Sequence, residues 1–155
     1  MGKTPPASRA NLTLTTLAAL AAFPPDWPEI EYVINSFSVS PTLDQSKNYV
    51  AVLSALITPL SRGNVSIASN SMKDAPLIDV GWLSDPTDLE VLVQALKRAR
   101  ALFGAESVRD VLLGEEVLPG KGVETEEQIA AYIREGITTV YHASCTCKFP
   151  FFSLH

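Results

Sequence analysis

The stretch Ser84-Asp85-Pro86-Thr87-Asp88, running into Leu89-Glu90-Val91-Leu92-Val93, constrains this chain more than any other. Asp85 can accept backbone N–H groups as an N-cap. Pro86 suits the first helical position because it has no N–H to leave unpaired, and Asp88 places negative charge in the first turn. Leu89, Leu92, Val93, Leu96 and then Leu102 or Phe103 recur at helical spacing, and Gly104 stands where a helix stops. The pattern predicts a helix over 86–103 with one apolar face, and the rest of the chain has to supply the layer that covers it.

That layer is sought upstream. Pro24, Pro25 and Pro28 exclude a helix around them. Residues 29–39 alternate in part, with Ile30, Tyr32, Ile34 and Val39 among polar residues, and predict a strand. Residues 48–58 form a longer β-branched and apolar run ended by Pro59. Ser61-Arg62-Gly63-Asn64 is turn chemistry, and 65–69 alternate as a return strand, so 48–58 and 65–69 are expected to pair as a hairpin. Downstream, a short helix is predicted over 106–113 and a loop over 114–122. Thr125 and Gln128 have capping-box spacing, which starts a helix over 126–135 with Ile129, Tyr132 and Ile133 on one face and Gly136 at its end. Strands first and helices after indicate an α+β fold, an antiparallel sheet flanked by helices.

A length of 155 residues suits one domain. Residues 1–10 are polar and Pro-rich and are expected to be disordered. The net charge of −5 opposes a general phosphate-backbone binder, so no nucleic-acid partner is expected. Lys97, Arg98 and Arg100 cluster late in the predicted helix, where cations suit the macrodipole. No apolar run reaches the roughly 18 residues of a membrane span. Lys3 and Arg9 followed by residues 12–22 superficially match a leader peptide, but Thr13, Thr15 and Thr16 interrupt the apolar segment and Pro5-Pro6 is an odd beginning. The compartment stays open, and the sequons at Asn11 and Asn64 matter only in a secreted chain.

The reactive side chains gather late. His142, Cys145 and Cys147 fall within six residues. His142 alone reads as a hydrogen-bonded structural histidine, and the cysteines as buried apolar thiols. Their spacing is too short for an unstrained mutual bridge, so both are expected to be free thiols. A zinc site needs about four ligands; these three have only the terminal His155 to join them, and no metal site is expected. A Cys–His nucleophile pair would lack its orienting third group. Gly120-Lys121-Gly122 begins like a dinucleotide loop, but Thr125 occupies the third glycine's place and no strand precedes it. Asp79, Asp85 and Asp88 are read as caps and loop acids.

Several stretches together resemble the C-terminal, substrate-side part of the glucose–methanol–choline (GMC) flavoprotein oxidoreductases, above all fungal members such as aryl-alcohol oxidase. They are Asp26-Trp27-Pro28-Glu29-Ile30-Glu31, Pro59-Leu60-Ser61-Arg62-Gly63, Val65-Ser66-Ile67-Ala68-Ser69, Pro76-Leu77-Ile78-Asp79, Leu83-Ser84-Asp85-Pro86-Thr87-Asp88-Leu89-Glu90 and Thr139 through Lys148. The likeness covers residues 11–148, and 149–155 look like an aberrant tail that matches nothing in the family. The family's active-site pattern is similar to His-Pro-x-Gly-Thr-Cys-Arg/Lys-Met-Gly. His142, Thr146, Cys147 and Lys148 fall on its histidine, threonine, cysteine and basic residue, while Ala143 and Cys145 depart from it.

The resemblance implies an FAD-dependent oxidoreductase acting on CH–OH groups of a small alcohol. His142 would accept the hydroxyl proton, as a neutral imidazole can near neutral pH, and flavin would take the hydride. It assigns no cofactor-binding residue here. The family's FAD-binding half and a second active-site His or Asn are missing from the pattern. The chain is therefore expected to be an incomplete substrate domain, inactive alone, or else a non-catalytic module that docks to a separate flavin-binding chain.

Overall fold

The computed structural model describes residues 3–142 apart from Pro5 and Val39. Along them run α1 (Pro6–Arg9), α2 (Leu14–Leu20), β1 (Ile30–Asn35), β2 (Ala51–Leu56), β3 (Asn64–Ser66), β4 (Leu77–Asp79), α3 (Pro86–Phe103), a 3₁₀ turn (Glu106–Val111) and α4 (Glu126–Gly136). The class is α+β, with two antiparallel two-stranded sheets, β1–β2 and β3–β4.

Helix α3 has the predicted bounds. The Asp85 carboxylate accepts the Thr87 N–H at 2.9 Å, and the Gly104 N–H closes the last turn on the Arg100 carbonyl. Its buried stripe lies beside the predicted one. Val91, Leu92, Val93 and Ala95 are buried, whereas Leu102 is 40% exposed and Leu89 and Leu96 are half-buried. The helix is covered by β2 and α2 as well as by α4. Small residues such as Ala95 therefore become core, where a single-face reading looks only for large ones.

Val91, Leu92 and Ala95 meet Leu12, Leu20 and Ile30 in one cluster, with Tyr32, Leu56, Ile133 and Ile137 packed around it. In β1–β2, Ile30 faces Leu56 and Tyr32 faces Ser54, and Ile30, Tyr32 and Leu56 on this side lie against the core, whereas Ile34 further along it is 63% exposed. Across the pleat, the Val33–Leu53 pair remains exposed. In α4 the capping box is complete: Thr125 Oγ1 accepts the Gln128 N–H at 3.2 Å, and Gln128 Oε1 accepts the Thr125 N–H at 2.9 Å. Ile129 is 1% exposed.

The strand pairing departs from the expected hairpin. Ala51–Leu56 pairs back with Ile30–Asn35, and Asn64–Ser66 pairs forward with Leu77–Asp79, a strand the sequence reading did not include. The expected strands 29–39, 48–58 and 65–69 are each shortened, and Val39 lies outside the described residues. The cause is visible in the connection. The Leu60 and Ser61 N–H groups donate to the Asp88 carboxylate, both at 2.8 Å, and Arg62 closes on the Pro59 and Ser61 carbonyls. Backbone groups that a tight hairpin would use are thus engaged elsewhere. Leu77–Asp79 is three residues long and follows Pro76, which leaves too little alternation to notice.

Within residues 1–10, read from the sequence as disordered, Lys3, Thr4 and Arg9 are tied to the fold. Glu29, 1% exposed, accepts the Thr4 N–H at 2.7 Å and the Arg9 guanidinium, with Lys3 Nζ at 3.7 Å. A buried carboxylate requires partners, and these are supplied by residues that composition alone marks as loose. The leader-like segment holds α2, and its Leu12 and Leu20 join the core; Glu90 of α3 accepts from Thr13 and Thr16 at the start of α2, where a negative charge complements the helix dipole. Among the described residues no helix is long and apolar enough to cross a membrane.

Candidate functional site

His142 closes the described part of the chain. Ile133 and Ile137 pack against the core, and the Ile137 N–H ends α4 on the Ile133 carbonyl at 2.9 Å. Five residues past this anchor, His142 is exposed. The turn between them is set by Thr139, whose Oγ1 accepts the Tyr141 N–H at 2.9 Å. Tyr141 has φ = 63°, a left-handed conformation that is uncommon outside glycine. Tyr141 is 88% exposed. The sequence reading missed this turn. Its one available signal was the Thr-x-Tyr spacing, since a threonine hydroxyl can bond the N–H two residues on.

Thr146, Cys145, Cys147 and Lys148 lie outside the described residues, as do His155 and the expected tail 149–155. The structure therefore places His142 but not the other residues matched to the family pattern. Among the described residues no group of His, Cys, Asp or Glu could hold a metal.

The remaining candidates resolve into structural roles. Asp85 caps α3, Asp88 binds the Leu60–Ser61 backbone, and Asp79 Oδ1 accepts the Gly81 N–H at 2.9 Å. Lys97 pairs with Glu126, and Arg100 pairs with Glu116 at 2.8 Å. The Gly120 segment offers the reverse of an anion cradle. Its carbonyls point at a cation: Arg100 donates to Gly120 O at 3.3 Å and to Val123 O at 2.7 Å. Gly63 and Gly81 serve a backbone crossing, since a Cβ on Gly63 would sit 2.2 Å from Asp79 O and one on Gly81 would sit 2.3 Å from Arg62 O.

A family model described as GMC oxidoreductase matches residues 59–150. The chain belongs to the GMC oxidoreductase family. Among curated GMC relatives, patulin synthase of Aspergillus clavatus is 44% identical over 150 residues, which is 92% of this chain and 24% of that protein. A glucose–methanol–choline family oxidoreductase, mfmG, of Annulohypoxylon moriforme is 39% identical over 96% of this chain and 26% of its own length. Versicolorin B synthase of Aspergillus parasiticus is 41% identical over 82% of this chain and 20% of its own length. The chain thus spans about a quarter of the length of the curated GMC relatives it matches.

GMC oxidoreductases are flavoproteins that use FAD. A dinucleotide needs a strand-to-helix glycine turn with inward N–H groups for its pyrophosphate. Gly63, Gly81 and Gly120 do not fit that need. Gly120 turns its carbonyl to Arg100, and Gly63 and Gly81 are closed against backbone.

Proposed function

We propose that this chain is the substrate-side part of an FAD-dependent GMC oxidoreductase that acts on CH–OH groups, with His142 as the acceptor of the hydroxyl proton. The observation that carries the reading is that the family match, residues 59–150, runs through His142 and the pattern of Thr146, Cys147 and Lys148 behind it. A neutral imidazole suits the task because its ring nitrogen can accept a proton. The proposal gives this chain the proton side of the reaction and the shaping of the alcohol pocket. The described residues form no FAD cradle, so the isolated chain is proposed to be inactive.

The test is a chimera in which residues 1–148 replace the aligned quarter of patulin synthase. The chimera should bind flavin and oxidise one or more members of a panel of aromatic and aliphatic alcohols. His142→Ala should cut turnover by about 10²–10⁴-fold, the usual contribution of a general base, without loss of flavin. Full turnover in a flavin-loaded His142→Ala chimera would remove His142 from the reaction.

A further inference from the structure

The run Ile137-Thr138-Thr139-Val140 consists of β-branched side chains, which favour extended backbone. Ile137, at φ −63° and ψ 136°, follows that preference. Tyr141 does not. Its φ of 63° changes the course of the chain one residue before His142. Returning this angle to the common negative range would swing everything beyond it by about 120° around the Tyr141 N–Cα bond. The direction in which the imidazole is offered is thus set at Tyr141.

The Tyr141 side chain does not explain the conformation. Its Cβ is crowded by left-handed backbone, and the residue is too exposed for burial to hold it there. A non-glycine residue keeps such an angle only where its surroundings impose it. The support that the structure shows is a hydrogen bond, in which Thr139 Oγ1 accepts the Tyr141 N–H at 2.9 Å. Upstream, the Ile137 N–H closes on the Ile133 carbonyl at 2.9 Å, and both isoleucines pack on the core. The Thr139 turn therefore lies between a fixed helix end and the histidine. Glycine at 141 would reach the same angle freely and leave it as freely. A tyrosine held by Thr139 gives the turn one direction instead.

We propose that Thr139 is a positioning residue for His142: by holding Tyr141 in the left-handed turn, it fixes the line along which the imidazole meets the alcohol hydroxyl. The inference rests on the reading of His142 as the proton acceptor and deepens it. A base works only within hydrogen-bond reach of its proton, and a misplacement of about 1 Å can cost roughly a hundredfold in rate. Thr139 takes no proton and touches no reacting atom in this arrangement. Its effect passes through His142.

Two measurements test it. In the 155-residue chain, the Tyr141 amide should exchange several-fold faster in Thr139→Val, whereas Thr139→Ser, which keeps the hydroxyl, should match the parent. An unchanged rate in Thr139→Val would overturn the inference, since the hydroxyl would then hold nothing. In the patulin synthase chimera, Thr139→Val should lower kcat by about tenfold or more, with flavin content and KM retained, and Thr139→Ser should restore it. Thr138→Val, at an exposed neighbouring position, is the control and should leave kcat unchanged. The deciding comparison is the cycle with His142→Ala. Once the imidazole is gone, Thr139→Val should cost nothing further. A loss that multiplies in the His142→Ala background would give Thr139 a merely structural role and overturn the inference. An unchanged kcat in Thr139→Val beside a damaging His142→Ala would also overturn it and leave the proposed base standing. Full turnover in His142→Ala would remove the base, and the positioning role with it.

Discussion

Asp88 accepts the backbone N–H of Ser61 at 2.8 Å across 27 residues of sequence. Its other oxygen takes the Leu60 N–H at the same distance, and Asp88 is 2% exposed. An acid that serves the first turn of α3 thus also ties the exit of β2 to that helix. Asp88→Ala would leave two partly buried N–H groups without acceptors, and each such loss costs about 1–3 kcal/mol. The variant should lose about 2–4 kcal/mol in urea unfolding, with Asp88→Asn intermediate because its single carbonyl oxygen serves both donors less well. A loss within about 0.5 kcal/mol for Asp88→Ala would show that the clamp contributes nothing to stability.

The crossing of Arg62-Gly63 with Val80-Gly81 gives a second expectation. Gly81 has φ = +60°, and an added Cβ would lie 2.3 Å from the Arg62 carbonyl oxygen. Left-handed backbone alone costs an alanine roughly 1–2 kcal/mol, and the clash is with backbone that cannot rotate away. Gly81→Ala should therefore cost about 2 kcal/mol or more in a thermal melt. Gly114→Ala, with nothing within 4 Å of the new Cβ, should change stability by less than about 0.5 kcal/mol.

Elements whose signals are local were legible. Asp85, Pro86 and Gly104 bound α3, and Thr125 with Gln128 begin α4, because caps act within one turn. Pairing partners were not legible. Residues 51–56 could satisfy their period against either neighbour, and the contact that holds the exit of β2, Ser61 to Asp88, spans 27 residues. Glu29 is similar: only the fold shows that Thr4 and Arg9 reach it. His142 was singled out by its place in a family pattern, whose other matched residues lie outside the described ones. The left-handed turn at Tyr141 that precedes it has no propensity signal in an aromatic side chain.

Glu29 supplies a third prediction. Its carboxylate, 2% exposed, pairs with an Arg9 side chain that is 31% exposed. Removing one partner of a fully buried pair typically costs 3–5 kcal/mol, and solvent at Arg9 reduces the penalty. Glu29→Ala should cost about 2–3 kcal/mol and should free residues 3–9, seen as faster amide exchange there. Arg9→Ala should cost less, because Thr4 and Lys3 still serve the acid. An Arg9→Ala loss equal to or larger than that of Glu29→Ala would contradict this ordering.

The last prediction concerns alkaline pH. Burial raises the Tyr32 phenol above its ordinary 10.0, with Arg98 pulling the other way. Burial also raises Tyr132, and the nearby Glu116 carboxylate adds to the shift. A raised phenol pKa in the folded state means that the unfolded chain releases these protons first. Between the unfolded and folded values the native state binds more protons, so stability falls as pH rises. The contribution is whole below about pH 9, where both states are protonated, and is lost as pH climbs through 10.0 toward the folded values. Urea midpoints measured from about pH 8 to about pH 11 should hold steady and then drop. Tyr32→Phe and Tyr132→Phe should each flatten that drop, and the double variant should flatten it further, because phenylalanine keeps the apolar contact and removes the titrating group. Tyr32→Phe gives up only a long 3.5 Å approach to the Ala95 carbonyl, so its stability near neutral pH should stay within about 1 kcal/mol of the parent. An unchanged alkaline slope in the double variant would move the effect to other groups.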